Sequence, residues 1–142
     1  MIAELPGYVD DVTIPLALRA AAADAFFIHL RLLIEFLIKG DHRSIRRQDY
    51  LKDFHLDQAL RARLSTDYDF ASRHVAHFNA DRVPAADSPL FEPVDTARLN
   101  GHADDVFTAM SAFARHLSAT GSEYAGDFGE WLELATARRG PA

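Results

Sequence analysis

Between positions 26 and 38 of this chain, ten of thirteen residues are large and apolar, and only His29, Arg31 and Glu35 interrupt them. A helix so apolar around its circumference needs other helices packed on it, which constrains the architecture more than any motif does. At about 100° per residue, Asp24, Arg31 and Glu35 fall on one narrow stripe, and almost everything else is expected to face apolar surroundings. His29 lies away from that stripe, beside Ala25, Leu33 and Phe36. The run is shorter than the roughly 20 residues a membrane crossing requires, and it carries charge inside it. It reads as a buried helix, not a span.

The flanking residues extend the helix over 14–39, about 39 Å at 1.5 Å per residue. Thr13 is the expected cap, Pro15 is tolerated in the first turn, and Gly40 is the expected stop. Two short helices follow, near 47–54 and 57–64, presenting Tyr50, Leu51, Phe54, Leu56, Leu60 and Leu64 to the core. Ser65, Thr66 and Asp67 offer alternative caps for a helix running to about position 80. On it Ala71, Val75 and Phe78 form the natural packing face, and Phe70, His74, His77 and Asp81 an adjacent stripe. Pro84, Pro89 and Pro93 mark 83–95 as an ordered surface loop.

Beyond the loop, Leu99, Ala103, Val106, Phe107, Met110, Phe113 and Leu117 recur at alternating steps of three and four, a clean helical seam. Gly101 weakens its first turn, so Asn100 is an alternative cap, and Gly121 ends it. A tail helix near 127–136 can dock Phe128, Trp131, Leu132 and Ala135. No strand-like alternation and no internal repeat occurs. The expected fold class is therefore all-α: an antiparallel helical bundle with two long central helices and shorter helices packed around them. It forms one domain over 1–142, with 1–12 as an N-terminal extension and 121–142 as a short C-terminal helix and tail.

A formal charge of −6 argues against a broad phosphate-binding face, so RNA is a disfavoured partner. The cluster Arg43, Arg46, Arg47 and Lys52 reads as a solvated helix start. Without cysteine there is no disulfide framework, thiolate nucleophile or cysteine metal site, and cytoplasmic residence is the simplest fit. The N-terminus lacks the basic start of a secretory signal. No phosphate-cradling glycine loop, serine elbow or helix–turn–helix signature is present.

The densest polar constellation is Ser72-Arg73-His74-Val75-Ala76-His77-Phe78-Asn79. Arg73 and His77, one turn apart, can project side by side. A fixed cation beside an imidazole suits phosphodiester cleavage, the cation holding the charged transition state while the imidazole moves the proton. The plainer alternative pairs Asp69 with Arg73 and Asp81 with His77 on a solvated face. The apolar helix over 26–37, the middle with Asp49, Tyr50 and Phe54, and the Arg-His-Val-Ala-His run followed by Arg82 resemble HEPN-like helical proteins of bacteria. That resemblance implies a homodimer joined through the Arg–His face. In active members it implies a metal-independent ribonuclease with His77 as acid/base and Arg73 as phosphate clamp, often in toxin–antitoxin or phage-defence systems. Here only three residues separate Arg73 from His77, shorter than the ribonuclease signature of those members. An interaction protein without a cofactor is therefore the first reading.

A metal-binding bundle is a further reading. His74 and His77 can chelate one ion if His29 faces them from its own helix, with His102, His116, Asp24 or Asp81 as extra donors. A histidine on an apolar helix face is more often bonded to a backbone carbonyl.

Overall fold

The chain after Pro15 is helical along its whole apolar length. The computed structural model, which describes residues 2–39, 45–76 and 94–138, places helix α2 at Leu16–Ile34 and continues it as a wider π turn over Glu35–Lys39. It is preceded by a single turn, α1 (Pro6–Val9), and followed by a second, α3 (Arg47–Tyr50). Three more helices follow: α4 (Gln58–Ala76), α5 (Thr96–Ala119) and α6 (Ala125–Ala137). Among the described residues there is no strand, and the fold is an all-α bundle.

The ends of these helices follow local hydrogen-bond chemistry. Thr13 does not cap α2, contrary to expectation. Its N–H and its hydroxyl both donate to Asp11 Oδ1, at 2.9 and 2.6 Å, and Pro15 takes the cap position in extended backbone. The nearby carboxylate is the stronger acceptor, and Thr13 stands too far ahead of the first free amides. Gly40, the expected stop, lies outside the described residues. The π turn instead ends against Arg47, whose guanidinium donates to the Leu37 carbonyl and, at 3.3 Å, to that of Phe54. Burial, and then the charge of Arg61, pull Arg47 below its ordinary pKa.

The expected break at Ser65, Thr66 and Asp67 is absent, and α4 is a third long helix. Asp57 caps it, its Oδ1 accepting from Ala59 and Leu60 amides at 2.9 and 3.1 Å. Thr66 turns its hydroxyl back to the Ala62 carbonyl. Short polar residues inside a helix cost only tenths of a kcal/mol each, roughly, which tertiary burial easily overrides. Likewise α5 starts earlier than Gly101 and Asn100 suggest, because Asp95 accepts from the Arg98 amide at 2.7 Å and Asp10 from the Thr96 amide at 2.8 Å. Gly121 ends it as expected: its φ of 66° lets Ser122 N–H reach the Leu117 carbonyl and its own N–H reach that of Ser118.

Neighbouring helices run antiparallel. Along α4 and α5, Arg63 meets Asp105, Asp67 meets His102, and Phe70 meets Arg98. Between α2 and α4, Phe27 touches His74 while Lys39 reaches Asp69. Every residue of the predicted α5 seam is buried, and opposite it lie Phe26, Phe27, Leu30, Ile34 and Leu37 of α2. Phe36, Phe54, Phe113 and Phe128 form an aromatic group at one end, with mostly edge-to-face rings. In it Phe113 is fully buried and Phe36 only half-buried.

The first dozen residues are no loose extension. Ile2 and Pro6 are buried, and Thr96 Oγ1 donates to the Pro6 carbonyl at 2.7 Å, tying the N-terminal turn to the start of α5. In α6, Phe128, Leu132 and Ala135 pack inward as expected, but Trp131 does not and is 40% exposed.

Candidate functional site

Along α4 the apolar series Leu60, Leu64 and Ala71 includes Asp67, which falls on the same register. Asp67 is the one buried charged residue among those described, 6% exposed. Its Oδ1 accepts from His102 Nδ1 of α5 at 2.8 Å. A carboxylate can only accept, so Nδ1 carries the proton and the imidazole is fixed in orientation, as in general-base dyads. Its other nitrogen, Nε2, is buried and meets no hydrogen-bond partner; nor does Asp67 Oδ2. No described cleft opens onto it. Buried this way, the pair works as a latch holding the α4–α5 register.

Aromatic contacts close the seam around that latch. The His102 ring stacks on Phe70 with centroids 5.0 Å apart, and the Arg98 guanidinium lies 4.4 Å over the same ring. His74 sits 4.4 Å from both Phe27 and Phe70, with Nδ1 donating to the Phe70 carbonyl at 3.0 Å. The stripe read as polar is thus a packing face, since Phe70 is buried and His74 half-buried. At its exposed edge Arg63 and Asp105 pair at 3.0 Å, and that carboxylate holds Arg63 above its ordinary pKa.

Of the catalytic pair named from sequence, Arg73 is exposed on α4, 5.9 Å from the centre of the Phe70 ring. His77 lies outside the described residues, as do Phe78, Asp81, Arg82 and the 83–93 part of the loop. For the metal reading, His74 packs against Phe27, whereas His29, two residues further along α2, points away from it. Two residues turn a helix by about 200°, so these imidazoles stand on opposite sides of α2. His102 is bonded to Asp67, and His116 lies against the Phe54 ring. Among the described residues no three His, Asp or Glu side chains gather closely enough to hold an ion.

His29 instead lines an open cleft of about 500 Å³ between α2 and α6, with Leu32, Leu33, Trp131, Leu134 and Arg138. This cleft belongs to a larger apolar surface. Leu18, Ile28 and Leu32 of α2 are 60%, 44% and 57% exposed, and Leu134 of α6 is 54% exposed. The expectation that only Asp24, Arg31 and Glu35 break an otherwise covered helix is therefore corrected. One side of α2 fills the core and the opposite side lies open. Small exposed residues on that open side, Ala17 and Ala21, gave no warning in the pattern.

No protein-family model, curated protein or solved structure matches this chain. Nor, among the described residues, is any helix long and apolar enough to cross a membrane.

Proposed function

We propose that this chain is a cytoplasmic helical-bundle interaction protein that works as a homodimer, as its resemblance to HEPN-like proteins implies. Its working surface is the open face of α2 together with the flank of α6, in place of the Arg73–His77 face. One observation carries this reading: Leu18, Ile28, Leu32, Trp131 and Leu134 make a connected apolar surface on a folded bundle whose core is already complete. Large contiguous apolar patches on a folded domain mark association surfaces.

The dimensions suit an ordinary interface. With its π turn α2 is about 36 Å long, and a helix face is roughly 10 Å wide. With the shelf of α6 added, the surface approaches the roughly 800 Å² per subunit that stable pairs bury. Size-exclusion chromatography with light scattering, run over a dilution series, tests the reading. The expected result is a dimer at micromolar concentration that dissociates on dilution. A mass of one chain at every concentration contradicts it.

A further inference from the structure

The open face of α2 changes character along its length. Its N-terminal half presents Ala17, Ala21 and, half-exposed, Ala25; its C-terminal half presents Ile28 and Leu32. Two such helices packed side by side in parallel set small against small and large against large, which leaves a gap at one end and crowding at the other. Reversing one of them sets the slim half of each against the bulky half of the other. The helix axes then stay at one separation along the whole contact, as close packing requires.

We infer that the occupant of this face is a second copy of the chain, with the two α2 helices antiparallel about a twofold axis between Ala25 and Ile28. This rests on the homodimer reading above and adds its geometry. About that axis, Ala21 of one copy lies beside Leu32 of the other, and Ala25 beside Ile28, each pair occurring twice. Such self-complementarity is the signature of a twofold contact.

Charge agrees with the same axis. Asp24 and Arg31 share one edge of the face, and the twofold brings the acid of each copy within about two residues' rise, roughly 3 Å along the helix, of the base of the other. That edge also carries Glu35 and Lys39, so its four charges cancel in a chain whose total is −6. Self-association along it is not opposed by the protein's overall charge.

The absence of native cysteine makes the test clean. Ala21→Cys and Leu32→Cys variants of the full chain are oxidised mildly, each alone and as an equimolar mixture. Within one chain these positions stand about 16 Å apart, too far for an internal disulfide. The expected result is cross-linked dimer in the mixture at least tenfold faster than in either variant alone. Ala21→Cys linking to itself would mean a parallel pair, overturning this geometry while leaving the homodimer intact. No cross-link in any sample, with light scattering still showing dimer, places the contact on another face and overturns the inference. Single-chain mass throughout removes the homodimer reading and this geometry with it.

Discussion

The two sides of α2 have nearly the same composition and opposite fates. Phe26, Phe27, Leu30, Ile34 and Leu37 are buried to 1% exposure or less, whereas Leu18, Ile28 and Leu32 on the other side are about half open. Apolar residues on the inner side decide whether the bundle exists. Those on the outer side decide what it meets. Hydrophobicity sets how much surface must be covered, and the number of neighbouring helices sets which part is left over. With α4 and α5 against one side and α6 against a flank, this bundle has no helix remaining for the outer stripe.

Substitutions on the inner side should break the fold itself. Phe27→Ala and Phe113→Ala are each expected to cost about 3–5 kcal/mol in chemical denaturation, as fully buried aromatic rings do. Phe36→Ala, at a half-buried ring, should cost less than Phe113→Ala; equal losses would mean the aromatic end of the bundle is closed by something more than α6. Next in size is the latch. Asp67→Ala leaves the His102 N–H buried without an acceptor, for an expected loss of about 1–3 kcal/mol. Asp67→Asn, which keeps an acceptor oxygen, should recover part of it. No difference between the two variants would deny that the hydrogen bond matters.

The outer side should behave in the reverse manner. Ile28→Glu is expected to change the unfolding free energy of the single chain by less than about 0.5 kcal/mol, the usual effect of a surface change. It should nevertheless remove the concentration dependence that association lends to the wild-type melting temperature. A several-kilocalorie loss would mean that Ile28 belongs to the core. The smallest effect concerns the N-terminal turn. Hydrogen bonds from the Thr96 amide and hydroxyl hold Asp10 below the ordinary carboxylate value of 3.8. A lowered folded pKa gives stability that is complete above the ordinary value and disappears as the pH falls through the lowered one. Thermal melts should therefore show Asp10→Asn less stable than wild type at neutral pH, with the gap narrowing below pH 3.8. A gap that widens in acid would reverse the assigned sign.

Much of the fold was legible where apolar residues fell on one side of a helix. The seam from Leu99 to Leu117 gave α5 and its buried face correctly, and Gly121 its end. In α2 the length was legible and the orientation was not, because residues apolar nearly all round carry no directional signal. The continuity of α4 was hidden by Ser65, Thr66 and Asp67, whose cap chemistry is real but was outweighed by tertiary contacts. Asp67 itself could have been found, since a lone carboxylate on the register of Leu60, Leu64 and Ala71 announces a buried partner. That the partner is His102 depends on how α4 and α5 are aligned, which no local pattern encodes. The pairing of His29 with His74 failed for a similar reason, as it required knowing which side of α2 meets α4.

Sedimentation velocity over a dilution series, comparing wild type with Ile28→Glu, tests the division between the two sides of α2 most directly. The account predicts a wild-type boundary that moves from one chain to two as concentration rises, and a variant that stays at one chain while unfolding like wild-type monomer. A wild type that never leaves the single-chain value, or an Ile28→Glu variant that pairs as well as wild type, would contradict it.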